Sequence, residues 1–99
     1  MVYEIVWTSK ATGSYVNNLT YLEAAWTTKE LNKFIVAVER KLTILSLQPY
    51  IGRPRNSKNH NTRITIVNKR ISLIYRVKVR NKRIELILFW NTYQDPVRL

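Results

Sequence analysis

Hydrophobic and polar residues alternate through most of residues 62–90, TRITIVNKRISLIYRVKVRNKRIELILFW, a pattern that predicts three consecutive antiparallel strands. Polar and basic breaks at residues 68–70 and 80–82 fall where turns between the strands are needed. Because successive side chains of a strand point to opposite faces, the middle strand has one apolar and one mixed face. These faces carry Leu73, Tyr75, Val77 and Val79 on one side, and Ser72, Ile74, Arg76 and Lys78 on the other.

The third of these strands, residues 84–90, is apolar almost throughout. Such a strand is typical of a central position or of a sheet covered on both faces. Strict alternation predicts Ile84, Leu86, Leu88 and Trp90 on one side, and Glu85, Ile87 and Phe89 on the other.

Two helices are predicted before the strands. Residues 3–7 alternate as a short strand, after which Thr8 or Ser9 is a candidate N-cap for a helix over residues 10–26. Apolar residues recur in that helix at intervals of three and four, and Gly13 weakens the pattern without erasing it. The apolar positions are Ala11, Tyr15, Leu19, Leu22 and Trp26.

A second helix is predicted immediately after the first. Thr27 followed by Glu30 is a capping-box pattern, which leaves almost no loop between the helices and predicts an antiparallel hairpin. The helix extends over residues 28–47, and Pro49 ends it. Its apolar stripe is the most regular in the chain: Leu31, Phe34, Ile35, Val38, Leu42 and Leu45.

The remaining segments are predicted to be irregular: residues 48–61 as a loop, and residues 91–99 as a C-terminal tail. We therefore expect one α+β domain over residues 1–99, in the order β-α-α-β-β-β, with the first strand at an edge of the antiparallel sheet. The helical hairpin covers one face. The other face is left open for partners, with Arg63, Ser72, Ile74, Arg76 and Lys78 as candidates to line it.

The composition excludes several kinds of functional site. The chain has no cysteine and one histidine, His60, so we expect no disulfide, no metal site and no cofactor. The N-terminus lacks the pattern of a signal peptide, and no apolar run is long enough for a membrane span. A cytoplasmic protein is expected.

Charge is distributed unevenly. The net charge is +11, and every charged residue from Arg40 to Arg83 is basic, whereas most of the acids precede this segment. A surface with this much unpaired positive charge attracts polyanions, which favours an acidic protein partner, nucleic acid, or both. A solvated basic surface without a partner is the alternative.

Four short motifs, in this order, resemble the RelE/ParE family of bacterial toxins: QPYIGRP at residues 48–54, Arg63 at the start of a strand, SLIYRV at residues 72–77, and FWNTYQDP at residues 89–96. The resemblance implies the toxin of a type II toxin–antitoxin system. It also implies a cognate antitoxin as partner, and a toxin–antitoxin hetero-oligomer.

Within the family, the resemblance distinguishes two activities. RelE-like members cleave mRNA on the ribosome without a metal, using basic residues of the sheet, whereas ParE-like members act on DNA gyrase and lack that set. This chain has Thr65, Val67, Ser72 and Asn91 where the ribonucleases carry cations, which favours the ParE-like branch. If the protein is instead a ribonuclease, the expected catalytic residues are Arg63, Arg76 and Tyr93.

Two further interpretations remain open. Arg63 and Arg76 can serve to pair with the antitoxin or with Asp95, and the protein can be an inactive basic module that acts only in antitoxin binding and transcriptional autoregulation. The residues expected to bind a partner or nucleic acid are Arg53, Arg55, Lys58, Lys69, Arg70, Arg76, Lys78 and Trp90.

Overall fold

The computed structural model describes residues 2–25, 27–55, 60–68 and 71–91. Two helices and three long strands lie where the periodicity predicts them. The elements are β1 (Glu4–Trp7), α1 (Ser9–Ala25), α2 (Thr28–Leu47), β2 (Arg53–Pro54), β3 (Thr62–Asn68), β4 (Ile71–Lys78) and β5 (Arg83–Asn91).

The strands form one sheet in the order β1-β5-β4-β3-β2. The pairs β3–β4 and β4–β5 are antiparallel, and β1 lies at an edge, as predicted. Because β1 is parallel to β5, the sheet is mixed and not wholly antiparallel. The prediction of a continuous loop over residues 48–61 is wrong at β2, where two residues pair with β3. Pro54 is tolerated there because an edge strand does not need every N–H.

Each helix is preceded by a threonine whose hydroxyl accepts a hydrogen bond from an N–H of the first turn. The Thr8 hydroxyl accepts the Ala11 N–H at 3.1 Å, and the Thr27 hydroxyl accepts the Glu30 N–H at 3.3 Å. Each satisfies an N–H that has no partner within its helix. The predicted caps are therefore confirmed.

Helix α1 also covers the part of β5 that β1 leaves open. β1 pairs only with residues 83–86, and from the Leu86 carbonyl onwards side chains of α1 and its cap bond to the edge of β5. The Thr8 hydroxyl donates to the Leu86 carbonyl, the Ser14 hydroxyl accepts the Phe89 N–H, and the Asn18 amide donates to the Phe89 carbonyl. A helix thus satisfies backbone groups that normally need another strand.

The core lies between the helices and one face of the sheet, as predicted. Helix α1 packs mainly on β5 and α2 on β3. Tyr75, expected in the core, is fully buried. The buried apolar residues of this cluster are Ala11, Leu22, Phe34, Val38, Leu45, Ile71, Leu73, Tyr75, Val77, Ile84, Leu86 and Phe89.

A β-bulge changes the faces of β5. Tyr75 lies opposite Leu86, whereas the preceding Ile74 lies opposite Leu88, so Ile87 is an extra residue in the ladder. The buried positions consequently shift from Ile84 and Leu86 to Phe89 and Asn91. The predicted placement of Leu88 and Trp90 on the face of Ile84 is therefore wrong. No helix in the described ranges is long and apolar enough to cross a membrane.

Candidate partner-binding face of the sheet

The sheet face opposite the helices combines cations with apolar residues. Ser72, Ile74, Arg76 and Lys78 share this face, as the alternation in β4 predicts. Ile64 lies opposite Ile74, which is only 2% exposed, while the neighbouring Ile66 is 66% exposed. The face thus offers an apolar contact beside positive charge.

Arg76 lies beside Glu85 on this face. The two residues are opposite each other on β4 and β5, and the guanidinium and carboxylate are 3.9 Å apart. Both side chains are substantially exposed, so the ion pair is weak, and Arg76 remains available to an incoming phosphate or carboxylate. Glu85 is not among the predicted site residues. The sequence signal is one of the few acids, in the strand that follows the strand of Arg76. The pairing of β4 with β5 then brings the two residues together.

A groove of about 510 Å³ lies at the β2–β3 edge of the sheet. β2 pairs only with Arg63 and Ile64, so from Thr65 onwards this edge of β3 has no strand partner within the described residues. An exposed strand edge can bind an extended peptide. The groove is lined by Lys41, Ile51, Gly52, Arg53, Ile64, Thr65, Ile66 and Ser72.

Arg63 lies on the helix side of the sheet, opposite Tyr75, so its predicted place on the open face is wrong. Its guanidinium donates to the carbonyls of His60 at 2.9 Å, Tyr50 at 3.2 Å and Gly52 at 2.5 Å. It also lies over the Tyr50 ring, 4.7 Å from the centroid. Arg63 therefore holds the segment that precedes β2 and the turn that precedes β3. Its catalytic role stays a prediction.

Tyr75 holds the segment that precedes β2 from the side of the core. Its hydroxyl accepts the Gly52 N–H at 3.0 Å and donates to the Pro49 carbonyl at 2.8 Å. Burial raises the pKa of Tyr75, while the Gly52 hydrogen bond and the Arg63 charge act in the opposite direction. Together Tyr75 and Arg63 fix one wall of the groove.

Four positions that the family resemblance associates with catalytic cations hold neutral residues. Thr65 and Asn91 are buried, whereas Val67 and Ser72 are half-buried. None of the four can neutralise a phosphate.

The other predicted partner-binding residues are dispersed. Arg53, Arg55 and Lys78 are exposed, and Trp90 is half-buried opposite Ser72. Of these, Arg53 lines the groove. Lys58, Lys69, Arg70 and the proposed catalytic Tyr93 lie outside the described residues, as does Asp95. Among the residues that are described, no three metal-ligating side chains cluster.

Solved structures from toxin–antitoxin systems resemble this fold. A chain of the toxin–antitoxin complex RelBE2 from Mycobacterium tuberculosis aligns with a TM-score of 0.65 and 18% identity, covering 92% of this chain and 99% of that chain. A mutant of the E. coli toxin RelE in its free state aligns with a TM-score of 0.61 and 14% identity, covering 98% of this chain and 90% of that chain. No family model and no curated protein matches the sequence. These similarities establish a RelE-like fold.

Proposed function

We propose that this protein is the toxin of a type II toxin–antitoxin system, that it acts in the cytoplasm, and that a cognate antitoxin neutralises it within a hetero-oligomer. The observation that carries the proposal is the RelE-like fold, which extends over 92% of the chain and is shared with a component of a toxin–antitoxin complex. The open basic face of the sheet supports it, because such a surface suits an acidic protein partner.

The groove beside β3 is the proposed contact for part of the antitoxin. Lys41 and Arg53 supply positive charge there, and the exposed side chains of Ile51 and Ile66 supply apolar surface. An extended segment with alternating acidic and apolar side chains can pair with the free edge of β3 and fill the groove. The antitoxin is therefore expected to order such a segment on binding.

For the target, we favour a ParE-like action on DNA gyrase without RNA cleavage. Metal-free cleavage of RNA requires cations at the phosphate, where negative charge develops in the transition state. Thr65, Val67, Ser72 and Asn91 supply none. This absence supports the non-cleaving branch.

A RelE-like, ribosome-dependent cleavage of mRNA is the second candidate, and the Arg76–Glu85 pair favours it. A carboxylate can take the proton of the attacking 2′-hydroxyl while a guanidinium stabilises the phosphate, so this pair contains the minimum acid–base and charge-stabilising groups. The two solved structures described above are of RelBE2 and of RelE. Arg63 and Tyr93 belong to this hypothesis as the other predicted catalytic residues.

Induction of the protein without antitoxin separates these proposals. A ParE-like toxin is expected to arrest growth with chromosomal breaks and filamentation while translated messages stay intact. A RelE-like toxin is expected to cut ribosome-bound messages within minutes. The measurements are DNA-break assays and primer extension on translated mRNA, made on the same cultures.

Variants assign the activity to residues. Arg76→Ala and Glu85→Gln should abolish cleavage if the second candidate is right, whereas Arg83→Ala should retain it, because Arg83 pairs with Glu4 at the edge of the sheet. Circular dichroism checks the fold of each variant. Unimpaired growth with intact DNA and mRNA, despite tight antitoxin binding, would identify an inactive binding module.

A further inference from the structure

The exposed side of α2 carries a second stripe of side chains, which belongs neither to the core nor to the groove beside β3. Its members recur at intervals of three, four and seven residues, the spacing of one face of a helix. They are Lys29, Lys33, Val36, Arg40 and Leu47, and are termed the outer stripe. All five are exposed, Val36 at 43% and Leu47 at 59%. The outer face of α2 thus combines positive charge with accessible apolar surface.

The three cations of the outer stripe are not neutralised by neighbouring acids. Among the residues that the structure describes, none of the three forms an ion pair. The acids of α2 itself are Glu30, which is half-buried, and Glu39. Burial, and after it the charge of Glu39, raises the pKa of Tyr15, so Glu39 lies on the side of α2 that faces α1. The outer stripe therefore attracts an acidic partner.

The side chains of the outer stripe fit a helix better than a nucleic acid or a lipid surface. Phosphate groups match the cations but leave the exposed Val36 and Leu47 without an apolar contact. A helix that lies on a membrane has a broad apolar face with aromatic side chains, whereas the outer stripe has two apolar residues and no aromatic one. A second helix of the same spacing can place acidic side chains against the cations and apolar side chains against Val36 and Leu47.

The outer stripe extends from residue 29 to residue 47, about 27 Å of helix, so a matching helix has about five turns. A second copy of this chain is a poor occupant, because it brings together two molecules of net charge +11. No residue of the outer stripe lines the groove beside β3, so the two surfaces are separate. We propose that the outer stripe of α2 binds an acidic amphipathic helix of a protein partner, in a contact of the coiled-coil type.

Binding of a synthetic helix to the full chain tests the proposal. The probe is a labelled peptide of three heptads with leucine at position a and glutamate at positions d, e and g, and its binding is measured by fluorescence anisotropy. The controls are the same peptide with lysine in place of glutamate, and a peptide of the same composition in scrambled order. We expect the acidic amphipathic peptide to bind about tenfold more tightly than either control, because only this peptide matches both the charge and the spacing.

Charge-reversal variants locate the contact on α2. Lys33→Glu and Arg40→Glu should each weaken binding of the acidic peptide about tenfold, and Leu47→Ala about threefold. Lys10→Glu, on the exposed surface of α1, and Arg53→Glu, in the groove, change the net charge equally and are the matched controls that should bind like the wild type. Circular dichroism checks the fold of each variant. Equal losses in Lys33→Glu and Lys10→Glu would show that only net charge matters, which overturns the proposal.

Two further measurements identify other occupants of the outer stripe. If Lys33→Glu weakened binding of a single-stranded oligonucleotide but not of the acidic peptide, the surface would belong to nucleic acid and the proposal would be wrong. A wild-type dimer in analytical ultracentrifugation that Leu47→Ala dissociates would assign the surface to a second copy, with the same consequence. The inference does not rest on the proposed toxin function, since binding is measured on the purified chain and not by growth arrest.

Discussion

Gly52 shows how one residue controls the wall of the groove. A Cβ atom at this position would lie 2.7 Å from the Tyr75 hydroxyl and 2.8 Å from the Ile64 carbonyl, whereas a Cβ at Gly13 has nothing within 4 Å. Both contacts at Gly52 are with groups that are held in place, one in the core and one in β3. The backbone approaches them so closely that only glycine fits without a shift.

The two glycines are expected to respond oppositely to alanine. Gly52→Ala should lower the free energy of unfolding by about 1–3 kcal/mol, because the clash must be relieved by movement of packed groups. Gly13→Ala should raise it by roughly 0.5–1 kcal/mol, since alanine is the better helix former. Urea denaturation of both variants checks the pair, and equal effects would contradict the close approach at Gly52.

The free energy of unfolding is expected to fall at alkaline pH in part because Tyr75 ionises. Tyr75→Phe leaves the Gly52 N–H and the Pro49 carbonyl without this partner, and should cost about 1–3 kcal/mol near neutral pH. Burial raises the folded pKa of Tyr75 above its unfolded value of about 10, so its contribution is present below that pH and is lost as pH rises through the folded pKa.

Denaturation of wild type and Tyr75→Phe across this alkaline range measures the effect. The variant should lose less stability than the wild type as pH rises. Some decline remains in the variant because burial, with the charge of Glu39, also raises the pKa of Tyr15. Parallel curves for the two proteins would show that Tyr75 does not titrate with unfolding.

At the scale of elements, α2 stabilises the domain through its buried stripe. Phe34 is fully buried and stacks on Tyr15, with ring centroids 5.8 Å apart, whereas Leu42 is half-buried against the core. Phe34→Ala should cost about 2–5 kcal/mol, with Leu42→Ala at the lower end of that range. Val36→Ala, on the exposed side of the same helix, is the control and should stay within about 0.5 kcal/mol. If urea denaturation showed that Phe34→Ala lowers the free energy of unfolding by less than about 0.5 kcal/mol, the buried stripe would be contradicted.

Helix α1 covers the sheet and also bonds to the edge of β5. Thr8, Ser14 and Asn18 satisfy the edge of β5 beyond the end of β1. A helix thus takes the place of a further strand at this edge of the sheet.

At the scale of the whole molecule, the charge of +11 predicts how the antitoxin associates. Long-range attraction speeds the encounter of opposite charges and is screened by salt, while apolar contacts in the groove govern dissociation. Raising the salt concentration should therefore slow association much more than it speeds dissociation in stopped-flow measurements.

Single variants show which cations of the surface speed the association of the antitoxin. Arg53→Ala and Lys41→Ala, which remove charge from the groove, should slow association more than Lys29→Ala at the start of α2. Association rates that do not depend on ionic strength would refute electrostatic steering by this face.

Much of the architecture could be read from the order of residues, because helix and strand periodicity and N-caps depend on neighbours along the chain. The bounds of α2, the caps at Thr8 and Thr27, the antiparallel β3–β4–β5 and the burial of Tyr75 are of this kind. The alternation in β4 likewise predicted correctly that Arg76 lies on the open face.

Other features needed contacts between residues remote in the chain. The bulge at Ile87 reverses the faces of β5 because one strand has an extra residue relative to its partner, which no pattern within a single strand can show. The same holds for β2, for the parallel direction of β1, and for Arg63, which three backbone carbonyls hold on the helix side. The sequence alone thus determined the two helices, β1, the three long strands and the charge. Tertiary packing determined β2 and which side chains face a partner, because register and side-chain partners exist only once the strands have paired.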